Sequence, residues 1–150
     1  MQVLLIPVDG SEYSDRAVDY AIGRVKTSNE PVRLHLLNVQ MPIVTVNVKL
    51  FVSKESLEAY YREEGEKALA TALARIKQHE LQATPHISVG DAGKIICDFA
   101  TDKAATEVIM GTHGRGVLAG ALIGSVAQKV VHLAQVPVVL VKQFSDWLPG

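Results

Sequence analysis

A glycine-rich segment late in the chain has the residue types that best suit anion binding. Its glycines are Gly111, Gly114, Gly116, Gly120 and Gly124. Arg115 is the only charged residue between positions 111 and 125, and Ser125 directly follows the last glycine. Glycine lets backbone N–H groups approach a ligand closely, and a helix starting after the segment would add unpaired donors and partial positive charge. The segment therefore predicts a phosphate-binding loop.

The flanking sequence predicts a strand before this loop and a helix after it. Val108 to Met110 is an apolar run that ends at Gly111, and helical spacing of apolar residues begins at Ser125. No lysine precedes Ser125, so the loop is not a Walker A motif. Residues 114–119 fit the dinucleotide-binding pattern, but the next acidic residue is Asp146, so that motif lacks its ribose-binding partner. A glycine loop that binds nothing is the alternative.

Asp9 is the carboxylate that the fold should bring to this loop. Val3 to Val8 is a continuous apolar run, typical of a strand buried on both faces, and residues 9–11 end it with a turn signal. In parallel α/β sheets, ligands bind beyond the carboxyl ends of the strands, where the strand order reverses. Asp9, after the first strand, is therefore a candidate to meet Gly111, after the fourth.

Strands and helices alternate along the whole chain. The predicted strands are 3–8, 32–39, 84–89, 108–110 and 136–141, and the predicted helices are 13–26, 55–79, one that starts after a cap at Asp91, and 125–134. This order predicts an α/β fold, a parallel sheet with helices on both faces. In the second helix, Tyr60 belongs to the predicted buried stripe, residues 62–67 to a solvated face, and Gly65 to a bend. The apolar residues 43–52 predict a flap over the site or a surface for a partner.

Composition sets the broad class of the protein. At 150 residues with 48% hydrophobic content, we expect a single domain, 1–150, with a substantial core. Lys and Arg number 15 against 16 Asp and Glu, which argues against a nucleic-acid partner. A lone Cys97 suits a reducing compartment, and no apolar run is long enough to span a membrane. We therefore expect a soluble cytoplasmic protein.

Three stretches of the chain combine into a recognisable pattern. They are the strand and turn Pro7-Val8-Asp9-Gly10-Ser11, the spacing G-x2-G-x9-G-S from Gly111 to Ser125, and the closing strand 136–141. Together they resemble the universal stress protein family, in particular its ATP-binding branch. The resemblance implies a Rossmann-like open sheet of five parallel strands in the order 3-2-1-4-5. Thr106 departs from the aspartate often found before the fourth strand, and we expect that to affect the strand edge rather than the site.

The resemblance also implies which residues bind the nucleotide. Pro7, Val8 and Asp9 would line the site from the first strand, with Asp9 near the ribose or the metal–phosphate group. The Val39 backbone would pair with the adenine edge, and Met110 would wall the base. The phosphates would be held by Gly111, His113, Gly114, Arg115, Gly124, Ser125 and Val126. Because this loop offers donors but few charges, we expect Mg²⁺, with Asp9 as its protein ligand, to offset the phosphates of ATP.

Two classes of function remain open from the sequence. In the first, ATP or AMP is a ligand that sets the state of a regulatory, stress-response module. In the second, the protein is a slow ATPase or phosphotransferase, for which Asp9 and His113 are the candidate catalytic groups. A flavodoxin-like module for another phosphate ligand is a weaker third, because only 5% of residues are aromatic.

The closing strand predicts how copies of the chain associate. Residues 136–141 are β-branched or aliphatic except for Pro137, and the implied strand order places them at the sheet edge. We expect a homodimer in which this strand pairs with its copy. In the alternative, the tail with Phe144 and Trp147 covers the edge and the protein is a monomer.

Overall fold

The computed structural model describes residues 1–43, 53–114 and 123–142. The strands are β1 (Gln2–Pro7), β2 (Val32–Gln40), β3 (Thr84–Val89), β4 (Glu107–Gly111) and β5 (Val138–Val141), and the helices are α1 (Glu12–Thr27), α2 (Lys54–Gln78), α3 (Ala92–Asp102) and α4 (Ser125–Leu133). Arg115, the tail with Phe144 and Trp147, and residues 44–52 of the predicted flap lie outside the described residues. Within the described ranges, no helix is both long and apolar enough to cross a bilayer.

The five strands form one sheet in the order β3-β2-β1-β4-β5, and every neighbouring pair is parallel. This confirms the fold class and the strand order that the sequence resemblance implied. The chain moves outward from β1 in one direction through β2 and β3, and in the other direction through β4 and β5. A crevice is expected where the order reverses, beyond the carboxyl ends of β1 and β4.

Helices cover both faces of the sheet and create two hydrophobic cores. On one face, α1 and α2 bury Val18 and Leu69 against Leu4 of β1. On the other, α3 and α4 bury Ile96 and Val130 against the sheet. Alternate side chains of each central strand point into opposite cores, which is why these strands have apolar residues at consecutive positions.

Two features of α2 go beyond the sequence prediction or differ from it. The helix runs unbroken through Gly65, where an added Cβ would lie 2.6 Å from the Ile87 side chain. Gly65 therefore allows close packing of α2 on β3, and a bend at this residue stays a prediction. Tyr60 is 46% exposed, because the buried residues of α2 begin only at Gly65 and the earlier turns extend beyond the core.

The amino ends of β5 and β4 show details that the sequence did not predict. The closing strand begins at Val138 rather than at residue 136. Pro137 has no N–H to donate, but its carbonyl still accepts from Val108 N–H at 3.0 Å. At the amino end of β4, the Thr106 hydroxyl accepts from Val3 N–H at 3.0 Å and donates to Val3 O at 2.9 Å. Thr106 thus links β4 to β1 at the end of the sheet opposite the crevice.

Candidate functional site

A cleft of about 610 Å³ lies at the carboxyl end of the sheet, a size typical of small-molecule sites. Its lining includes eleven of the twelve predicted site residues, namely Pro7, Val8, Asp9, Val39, Met110, Gly111, His113, Gly114, Gly124, Ser125 and Val126. The twelfth, Arg115, lies outside the described residues. The fold therefore brings together residues that are up to 119 positions apart, from Pro7 to Val126. That they bind a nucleotide remains a prediction.

Asp9 is held in place by the start of α1. Its Oδ1 atom accepts from Ser11 N–H at 2.9 Å, across a turn in which Gly10 has a φ of 83°, a left-handed conformation that favours glycine. Ser11 is the N-cap of α1 and accepts from Ser14 N–H at 3.3 Å. The Ser14 hydroxyl returns a bond to Ser11 O at 3.0 Å. The carboxylate therefore projects from a turn fixed by successive hydrogen bonds.

The two described ends of the glycine segment meet each other, and the Gly114 end lies beside Asp9. Gly124 N–H donates to Thr112 O at 2.6 Å, which ties the start of α4 to the end of β4. An added Cβ at Gly124 would lie 3.2 Å from His113 Cα, and one at Gly114 would collide with Oδ2 of Asp9. An added Cβ at either glycine would crowd a neighbour, and the Gly114 backbone lies directly beside the carboxylate.

The N-terminus of α4 differs from those of the other described helices. The N-caps of α1, α2 and α3 are Ser11, Ser53 and Asp91, and each accepts a backbone N–H through its side chain. The N-cap of α4 is Gly124, which has no side chain to do so. The first turn of α4, from Ser125, lines the cleft. A helix start without a side-chain cap, facing a cleft, presents N–H donors and partial positive charge to an anion.

The opposite end of the cleft is formed by the end of β2. Val39 lines it beside Asn38, which is 3% exposed and donates from Nδ2 to Val8 O at 2.8 Å. The Gln40 amide in turn donates to Asn38 Oδ1. Asn38 thus continues the β1–β2 pairing with a side chain where the two strands separate. The sequence predicted no role for Asn38 in the site, because its partner Val8 lies on another strand.

Two carboxylate residues line the described part of the cleft, Asp9 and Glu64. Glu64, which was predicted to lie on a solvated helix face, is partly exposed and also borders the cleft. It accepts a bond from Lys67 Nζ at 3.2 Å. Among the described residues, no three His, Cys, Asp or Glu side chains cluster closely enough to hold a metal ion. A Mg²⁺ ion here would therefore need phosphate and water oxygens beside the Asp9 carboxylate, an arrangement that Mg²⁺ commonly adopts.

Comparison with known proteins agrees with this architecture. A model of the universal stress protein family matches residues 1–142. The universal stress protein MJ0531 of Methanocaldococcus jannaschii is 31% identical over 146 residues, covering 93% of this chain and 81% of that protein. The solved structure of the hypothetical protein MJ0577 has a TM-score of 0.81 at 25% identity, covering 95% of this chain and 96% of that one.

Two further structures of similar fold contain nucleotides. A universal stress protein family member from Arabidopsis thaliana with AMP bound has a TM-score of 0.68 at 18% identity, covering 100% of this chain and 97% of that one. The Archaeoglobus fulgidus protein in complex with dAMP has a TM-score of 0.62 at 21% identity, covering 95% and 98%. The family model spans nearly the whole chain, and the sheet order is the one the family resemblance implied. The chain belongs to the universal stress protein family.

Proposed function

We propose that the cleft binds an adenine nucleotide, ATP together with Mg²⁺, and that the bound nucleotide acts as a ligand in a stress-response module. Similar structures from Arabidopsis thaliana and Archaeoglobus fulgidus contain AMP and dAMP. The cleft volume of about 610 Å³ is within the range of about 300–1,000 Å³ found for small-ligand sites. The whole of 1–150 is proposed to act as one nucleotide-binding domain.

The N-terminus of α4 is the observation that carries this proposal. Its N-cap, Gly124, has no side chain, and the same residue is tied to Thr112 by a 2.6 Å hydrogen bond at the end of β4. The end of β4, Gly114 and the start of α4 therefore line one side of the cleft with backbone groups. In water-excluded sites such donors suit phosphate oxygens.

The remaining lining suggests how a nucleotide would be oriented. The base would lie at the β2 end, against the Val39 backbone and the Met110 side chain, and the phosphates at Ser125 and Val126. Asp9 is the carboxylate next to Gly114, so it would hold the metal ion near the phosphates. Mg²⁺ would supply positive charge that offsets the phosphate charge.

Substitution of Gly114 tests the phosphate end directly. In Gly114→Ala the added methyl group would displace the Asp9 carboxylate and block the backbone approach, so we expect ATP affinity to fall by roughly tenfold or more, or about 1.4 kcal/mol. The matched control is Gly23→Ala, since a Cβ at Gly23 meets no atom within 4 Å. Calorimetric titration with ATP and Mg²⁺ measures both variants. Unchanged affinity in Gly114→Ala would show that the phosphates bind elsewhere.

We further propose that turnover of the nucleotide is slow. No lysine or arginine is among the described residues that line the cleft, so from these residues alone the cationic stabilisation of phosphoryl transfer would have to come from Mg²⁺; Arg115 lies outside them. The slow ATPase remains the second candidate, because Asp9 and His113 both line the cleft. Rapid steady-state phosphate release that is lost in Asp9→Asn would favour the enzyme over the regulatory module.

Pairing of β5 with its copy is the proposed basis of a homodimer. Thr112 N–H donates to Val141 O at 3.2 Å, and Val108 N–H donates to Pro137 O. The backbone carbonyls of Val141 and Pro137 therefore face β4. Because alternate residues of a strand face alternate neighbours, Leu140 directs its N–H and C=O to the outer edge, where β5 pairs with no strand among the described residues. The exposed edge would be protected by an antiparallel copy.

A proline tests this edge without disturbing the β4 pairing. Leu140→Pro removes an outward N–H, whereas Leu140→Ala loses the same side chain but keeps the donor. We expect the proline variant alone to be monomeric in light scattering at micromolar concentration. A monomeric wild type, or a dimeric proline variant, would contradict the proposal.

The cytoplasm is the proposed location of the protein. Cys97 packs with Sγ 3.8 Å from Val130 O, and burial raises the pKa of its thiol. Such a cysteine is a packed, weakly reactive residue that needs no disulfide partner, which suits a reducing compartment. Fractionation of cells that express the chain would test the location, and recovery outside the cytoplasm would contradict it.

A further inference from the structure

Tyr13, in the first turn of α1, forms the wall against which the end of β4 packs. An added Cβ at Gly111 would lie 2.7 Å from Tyr13 Cβ and 2.8 Å from its carbonyl carbon and oxygen. The first turn of α1 is itself fixed by the Ser11 cap. The Cβ and carbonyl group of Tyr13 are therefore held between the capped helix start and Gly111.

From this position the Tyr13 ring contacts the ring of His113, which lies within the glycine segment. Its centroid is 5.1 Å from that of His113, and the ring planes are tilted by 52°. This distance is within the range of about 4.5–7 Å in which aromatic pairs attract each other. A second contact comes from Thr112, whose Oγ1 is 3.1 Å from Nδ1 of His113. Thr112 is only 4% exposed, so this second contact comes from a buried residue.

We propose that Tyr13 is a positioning residue for the phosphate end of the cleft, acting through His113. This inference rests on the proposed function, because it assigns a task to a residue behind the site. His113 and Gly114 line the cleft as neighbours, so an imidazole held by Tyr13 and Thr112 fixes the first residues of the glycine segment before a ligand arrives. Preorganisation of this kind reduces the ordering cost of binding.

The geometry also predicts which ligands should depend on Tyr13. Its contacts are with Gly111 and His113, at the end of β4, whereas Val39 lies at the end of β2. Loss of the ring should therefore weaken the binding of ligands with phosphate groups and leave the binding of a nucleoside unchanged. A general structural defect would weaken both.

The experiment measures ATP and adenosine affinities of wild type, Tyr13→Leu and Tyr13→Phe by calorimetry with Mg²⁺ present. Leucine keeps apolar bulk against Gly111, and phenylalanine keeps the ring without the hydroxyl. We expect Tyr13→Leu to bind ATP roughly threefold to tenfold more weakly, with adenosine affinity within about twofold of wild type. Tyr13→Phe should bind both as wild type does. Equal losses for both ligands in Tyr13→Leu, or no loss, would overturn the inference.

A double variant shows whether Tyr13 acts through His113. If it does, Tyr13→Leu should have little further effect on ATP affinity in a His113→Ala background, whereas independent effects would add. Additive losses would overturn the inference while leaving the proposed function intact. A wild type that binds neither ATP nor adenosine would instead overturn the proposed function, and the inference with it.

Discussion

Gly111 is the position at which one added methyl group should disturb both fold and site. The three nearest atoms to its hypothetical Cβ belong to Tyr13 and lie at 2.7–2.8 Å, well inside the separation of about 3.5–4.0 Å that carbon atoms prefer. Two of the three are backbone atoms in a capped helical turn, so rotation of a side chain cannot relieve the contact. We expect Gly111→Ala to cost about 1–3 kcal/mol, the usual range for overpacking.

Thermal unfolding followed by circular dichroism measures this effect. At about 2–4 °C per kcal/mol for a chain of this size, the Tm of Gly111→Ala should fall by roughly 2–12 °C. Gly23→Ala is the control: it adds the same methyl group in a helix where no atom lies within 4 Å, and it should be neutral or stabilising by up to about 1 kcal/mol. A Gly111→Ala variant that melts with wild type would refute the close-packing argument.

Two further predictions concern stability and pH. Glu107 accepts bonds from Arg24 at 2.8 and 2.9 Å, and these hold the pKa of its carboxyl below the ordinary range. Glu107→Gln should therefore cost about 1–2 kcal/mol at pH 7, and the difference should shrink as acid protonates Glu107 in wild type, measured by urea unfolding at several pH values. On the other face, Nδ1 of His35 and Nε2 of His86 lie 2.9 Å apart, and burial lowers the pKa of both imidazoles. The unfolded chain then binds protons more readily, so wild-type stability should fall as pH drops below about 6.5, and His86→Gln should flatten that slope; an unchanged slope would contradict the assignment.

Local sequence patterns were sufficient to predict the helices and strands, but not to predict which strands lie side by side in the sheet. The strand predicted at residues 84–89 is β3 to the residue, and the predicted cap of α3, Asp91, accepts from Lys94 N–H. Strand order is different, because the central strands are apolar on both faces and periodicity alone cannot say which strand lies beside which. The order came from the family resemblance.

The residues whose roles the sequence did not reveal are those whose contacts lie on distant parts of the chain. The close contact of Gly65 is with Ile87 on another element, so the local pattern could not predict it. Tyr60 has the right helical spacing, but the buried residues of α2 begin only at Gly65, and this residue is 46% exposed. Asn38 and Tyr13 act through tertiary contacts with Val8 and with the end of β4, which no local pattern reveals.

A crystal structure of the protein grown with ATP and MgCl₂ tests the central proposal most directly. Our account predicts density for the nucleotide in the cleft, with its base beside Val39 and its phosphates at the N-terminus of α4, next to Gly124 and Ser125. It also predicts that the metal ion lies within reach of Asp9. An empty cleft at saturating ATP, or nucleotide bound at another surface, would contradict it.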